Sequence, residues 1–201
     1  HRRPDLLGLF PLIVPDPAFA TVGSVLDQAL ASGRPVYLIK PMDGLSLKAN
    51  LSPAGTLVQA TPLTGQPAIP LPNQIFASGD ERIRLLGYDL APTPAAPDAA
   101  LTVTLYWQVM SPLSTDTTST VQLLDGSDQR VAQSDHRPGG DYYPSHLWQP
   151  GEILRDQHQI QLPASILPGR LRLLVGLYSQ PEPGVIVGLG STSEIGAVTV
   201  D

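Results

Sequence analysis

The second half of this chain is built from short runs that alternate apolar and polar residues with period two. Leu101, Val103, Leu105, Trp107 and Val109 fall on one side of such a run, with Thr102, Thr104, Tyr106 and Gln108 on the other. Leu171, Leu173, Val175 and Leu177 repeat the pattern, and Ile83, Leu85 and Gly87 begin a third run with Leu86 and Tyr88 on its opposite side. Successive side chains of a strand point to opposite faces, so this alternation is that of a half-buried strand. Further strands are expected near Thr118–Leu124, Arg130–Ser134, Leu154–Leu162, Val185–Leu189 and Ala197–Val200, with Pro150-Gly151 and Pro168-Gly169 as turns between them. So many short strands with turn residues between them predict a mainly β chain. Its principal unit is an antiparallel two-sheet β-sandwich, jelly-roll or immunoglobulin-like, spanning residues 74–201.

The first 64 residues read differently. Asp16-Pro17 resembles a helix start, Val22, Val25, Leu26, Ala29 and Leu30 share one helical face, and Gly33 sits where the helix would stop. Arg34–Lys40 reads as a short buried strand, with other strands expected within Leu6–Val14 and Thr56–Ala60. This predicts a small α/β segment at 1–64, without the glycine-rich phosphate loop of a nucleotide fold. Residues 65–73, rich in proline, are expected to form a semi-rigid linker to the sandwich.

Composition excludes several classes. A net charge of -6 speaks against a nucleic-acid binder. The absence of cysteine removes disulfides, thiol catalysis and zinc–thiolate sites. No apolar run approaches the ~18 residues of a membrane span. The sequence begins with His1 and reads as a piece of a longer protein.

Ile83–Leu90, Leu101–Trp107, Val131-Ala-Gln-Ser-Asp135, Leu147-Trp-Gln-Pro-Gly-Glu152 and Val175-Gly-Leu-Tyr178 resemble the soluble C-terminal module of certain bacterial multi-pass membrane proteins. Those proteins are glycosyltransferase-like, of the dolichyl-phosphate-mannose–protein mannosyltransferase class. Gly33–Leu38 is similar to the segment that follows their last membrane helix. The resemblance implies an extracytoplasmic location within a membrane-anchored parent, with glycan or lipid-linked sugar as the partner to expect. It carries over no catalytic residue, because the catalytic acid of that class lies outside this stretch. The expectation is therefore a noncatalytic accessory module, with no cofactor and no metal. The alternatives are a free-standing carbohydrate-active enzyme and a purely structural or protein-interaction domain.

The densest group of functional residue types is the loop His136–Trp148. Asp141, Tyr142, Tyr143, His146 and Trp148 are the candidate ligand-binding residues, since aromatic rings stack on sugar faces while carboxylates accept hydrogen bonds from hydroxyls. The competing reading is that Tyr143 and Trp148 plug one end of the sandwich. Asp156 and His158 share the core face of Leu154, Ile160 and Leu162, which suggests either an acid–base or metal pair, or a carboxylate held by backbone N–H groups of that loop. His136, His146, Asp135 and Asp141 read as a candidate metal site but match no dedicated zinc spacing, which leaves a structural calcium held by loop carboxylates and carbonyls as the alternative metal reading. Tyr88 and Tyr106 read either as a flat aromatic platform or as residues packed beneath the first region.

Overall fold

The computed structural model describes residues 22–40 and 42–201; the strand expected within Leu6–Val14 and the helix start at Asp16-Pro17 lie outside them. Helix α1 spans Val22–Ala31 and turns Leu26 inward. It closes with Gly33 at φ +70, where the Gly33 N–H donates to the Leu30 carbonyl. Three strands follow, β1 (Val36–Leu38), β2 (Ala49–Ala54) and β3 (Leu57–Pro62), in the antiparallel order β1-β3-β2. A 3-10 turn, Asp43–Leu47, sits between β1 and β2 and buries Leu45 and Leu47. The described part of this region is thus one helix beside an antiparallel sheet. The strand expected over Arg34–Lys40 is shorter than its apolar run, and Tyr37 and Ile39 within that run are exposed.

The remaining strands form two sheets. The first runs β4 (Ile69–Ser78), β5 (Glu81–Ala91), β6 (Ala100–Val109) and β9 (Ile153–Gln161), hydrogen-bonded in that order. The second runs β11 (Val185–Gly188), β10 (Gly169–Glu182), β7 (Thr117–Leu124) and β8 (Arg130–His136), and β12 (Ser193–Val200) also pairs with β10. All ladders between these strands are antiparallel. The inward faces meet as a sandwich. Leu101, Val103, Leu105, Trp107 and Val109 of β6 are all buried, as are Val121 and Leu123 of β7 and Leu173 and Val175 of β10. Phe76 meets Trp107 edge-on, with ring centroids 5.5 Å apart.

Two local departures from the expected pattern have physical causes. Strand β4 begins inside the stretch expected to be the linker: Ile69 and Pro70 already pair with Tyr88 and Gly87. Proline is tolerated because β4 is the edge of its sheet, and a register shift between Pro70 and Gln74 absorbs the irregularity. In β5 a bulge between Leu85 and Gly87 inserts one residue. Ile83 and Leu85 face inward before it, and Tyr88 faces inward after it. Tyr88 is therefore buried between the sheets rather than beneath the first region, its hydroxyl where a Cβ on Gly196 of β12 would stand 1.9 Å away. Tyr106 stays on the outer face and donates to Asp89 Oδ2 at 2.7 Å. Burial and that bond push its phenol up to about 12.

Candidate functional site

Strands β8 and β9 are each the last strand of their sheets, and they face each other along one open seam of the sandwich. Period-two alternation turns Asp156 and His158 of β9 inward together, and Ser134 and His136 of β8 inward from the other side. Ser119 of β7 lies deeper in the same layer. His136 Nε2 lies 2.7 Å from Asp156 Oδ1, and His158 Nε2 lies 3.2 Å from Asp156 Oδ2. Trp107 Nε1–H donates to the same Oδ2 at 3.3 Å. His158 Nε2 is also 2.9 Å from Ser119 Oγ, and its Nδ1 is 3.1 Å from Ser134 Oγ. The two imidazole rings are 4.3 Å apart. Asp156 and His158 are fully buried, whereas the His136 side chain is 37% exposed and carries the cluster to the surface.

Burial alone would raise the Asp156 carboxyl. The hydrogen bonds and charges of His136 and His158 outweigh it and hold the group below the usual carboxylate range. The bond to Asp156 in turn raises His136 above its ordinary value, against the opposing effect of burial. Three side chains thus satisfy Asp156, not backbone N–H groups of the 136–148 loop, and His158 is an interior residue. In a triad the base divides its two nitrogens between nucleophile and carboxylate. Ser119 does not meet that condition, because it shares Nε2 of His158 with Asp156 and is inaccessible. Ser134 Oγ meets the other nitrogen, Nδ1.

The loop 137–148 separates the expected binding residues into two sets. Tyr143 and Trp148 are buried, so neither offers a ring face to a sugar. Trp148 Nε1–H donates to the Tyr143 carbonyl at 3.0 Å, closing the loop on itself. The Tyr143 hydroxyl donates to Glu152 Oε2 at 2.5 Å, and its ring lies against Gly23 of α1, where a Cβ would meet ring atoms at 2.4 Å. Lys48, beside the 3-10 turn, is 5.3 Å from the centroid of that ring and is paired to Glu152 and to Asp27 of α1. Tyr143 thus lies between the first region and the sandwich, while Trp148 closes the loop beneath it.

Asp141, Tyr142 and His146 stay at the surface. His146 Nδ1 is 2.6 Å from Asp116 Oδ1, and Arg137 reaches Asp116 Oδ2 at 3.7 Å and Asp141 Oδ1 at 3.4 Å. Lys40 Nζ stands 5.3 Å over the Tyr142 ring, which remains 39% exposed. Of the four residues His136, His146, Asp135 and Asp141, only His136 joins the seam cluster. Sequence reasoning missed Trp107 as a partner of Asp156, Ser119 and Ser134 as partners of His158, and Asp116 and Arg137 as partners of His146 and Asp141. For Ser119 a signal was present, a polar residue on the core face it shares with Val121 and Leu123. Asp116 and Arg137 are brought together only by the tertiary fold.

No family model matches the chain, and no curated protein matches it. Among solved structures it is similar to a crystal structure of the C-terminal domain of wzt, at 10% sequence identity and a TM-score of 0.49. That match covers 68% of this chain and 82% of the other.

Proposed function

We propose that this chain is a noncatalytic accessory module that contacts glycan through the surface patch around Tyr142. In this reading it belongs to the extracytoplasmic part of a membrane-anchored, glycosyltransferase-like protein. The observation that carries the reading is the composition of the patch. The part-exposed Tyr142 ring carries Lys40 over it, and the same loop presents Arg137, Asp141 and His146, paired among themselves and with Asp116, whose carboxylates, guanidinium and imidazole offer both acceptors and donors to sugar hydroxyls. The sequence resemblance supports the extracytoplasmic setting. The burial of Asp156 among His136, His158 and Trp107 counts against the enzyme alternative.

With one ring and a few hydrogen bonds to a well-hydrated polyol, binding is expected at millimolar strength, on the order of -4 kcal/mol. NMR titration with mannose, glucose and short oligosaccharides tests this. Shifts confined to residues 116, 137, 141, 142 and 146, and lost in Tyr142→Ala, are the expected result. A spectrum unchanged at ~50 mM sugar, well above that millimolar scale, removes the glycan reading.

A further inference from the structure

The seam cluster has the geometry of a cation site as well as of a hydrogen-bond network. His136, Asp156 and His158 each offer one ligand atom, a ring nitrogen or a carboxylate oxygen, and the three atoms lie within 4.8 Å of one another, drawn from the two facing edge strands. Both imidazoles present Nε2 to the same carboxylate, whose oxygens only accept. Without a cation, each of those nitrogens must carry a proton to satisfy the contact. A single dication placed among the three satisfies both nitrogens and the carboxylate at once. Ligands at ~2.0–2.2 Å from a tetrahedral ion stand about 3.3 Å apart. His158 Nε2 stands 3.2 Å from Asp156 Oδ2 and His136 Nε2 2.7 Å from Oδ1, so each imidazole faces one oxygen of the carboxylate and an ion among them would engage one or both oxygens.

Partners just outside the three ligands reinforce the arrangement. Metal-binding histidines usually engage their second ring nitrogen, which fixes the tautomer, and carboxylate ligands are themselves hydrogen-bonded. His158 Nδ1 is engaged by Ser134 Oγ, and Asp156 Oδ2 accepts from Trp107 Nε1–H. The deep side of the cluster is closed by buried Ser119 and Trp107, and the part-exposed His136 lies on its solvent side. A donor set of two imidazole nitrogens and one carboxylate suits zinc and neighbouring transition ions. Calcium and magnesium demand oxygen ligands.

We propose that His136, Asp156 and His158 bind one transition-metal dication of the zinc class, which ties β8 to β9 across the seam. This site is separate from the patch around Tyr142 and does not depend on the glycan reading. The test uses the whole chain, stripped with a chelator and titrated with zinc chloride, and in parallel with cobalt chloride, calcium chloride and magnesium chloride. One zinc per chain, a raised melting temperature and a visible cobalt absorption band of low-symmetry N/O ligation are expected, with no response to calcium or magnesium. All three signals should vanish in His136→Ala, whose part-exposed position lets the fold persist, as circular dichroism would show. They should survive in a His1→Ala, His146→Ala double variant, which removes the other two histidines of the sequence. No zinc-dependent stabilisation of the folded chain, or binding that persists in His136→Ala and is lost in the double variant, would overturn the proposal.

Discussion

At the scale of single residues, Trp107 links the apolar core to the polar seam. It is fully buried, it meets Phe76 edge-on, and its indole N–H reaches Asp156. Its place in the core was legible in the sequence, because it shares a period-two face with Leu101, Val103, Leu105 and Val109. Its role toward Asp156 was not legible, since Trp107 pairs across the ladder with Leu154 and touches Asp156 only diagonally. Trp107→Ala should cost about 3–5 kcal/mol through the cavity it leaves. Trp107→Phe keeps most of the apolar volume but strips a donor from a buried carboxylate, a loss of about 1.5–3 kcal/mol. Urea denaturation of both variants measures this. If Trp107→Phe matched the wild type, the hydrogen bond to Asp156 would carry no weight in stability. The same contrast of period and partner explains the loop residues. Tyr142, Tyr143 and Trp148 are neighbours in sequence with similar chemistry, yet only Tyr142 reaches the surface, because α1 and the 3-10 turn cover Tyr143 from outside the sandwich.

At the scale of elements, the strands with clean alternation were readable and the irregular ones were not. β6 and β10 follow period two and lie where the alternation places them. β4 was hidden because Pro70 and Pro72 signal a connector, and only its edge position makes them compatible with a ladder. The bulge in β5 was hidden because Leu86 is as apolar as its neighbours, so nothing in the pattern marks it as the extra residue. The joint between the 3-10 turn and the loop 137–143 rests on close backbone approach. A Cβ on Gly44 would fall 1.8 Å from the Gly139 carbonyl oxygen, and one on Gly139 would fall 1.9 Å from that of Tyr143. Gly55, in the β2–β3 turn, has φ +66 but open space around it. Gly55→Ala should therefore cost only the left-handed backbone penalty, about 1–2 kcal/mol. Gly44→Ala must displace backbone and should be clearly the more destabilising of the two in urea unfolding. Equal losses would mean that the turn does not seat on the loop as described.

At the scale of the whole molecule, the balance between the first region and the sandwich decides how the chain behaves when cut. No strand of residues 36–62 joins a sheet of residues 69–200, so each hydrogen-bonded ladder is complete on its own side. The contact between them is partly ionic. It includes Lys48 with Glu152, Lys40 over Tyr142, Tyr143 against Gly23, Gly44 against Gly139, and Leu47 near Gly139. Breaking a buried pair by removing one partner leaves a charge without compensation, so loss of the first region uncovers Glu152 along with the Tyr143 ring. Water can then solvate that carboxylate, because the covering layer goes with the cation. A chain of residues 66–201, which keeps the Ala68 N–H bonded to Asp89 Oδ1, is therefore expected to fold as a cooperative sandwich with its seam intact. Its loop 137–148 should lose protection, because Tyr143 no longer has α1 above it. Hydrogen exchange resolves the two parts: β6, β7, β9 and β10 should stay protected while amides of the loop exchange faster than in the whole chain. If the shortened chain failed to fold, or if its loop exchanged no faster, the first region would be part of a single core and the boundary near residue 65 would not be a division between units.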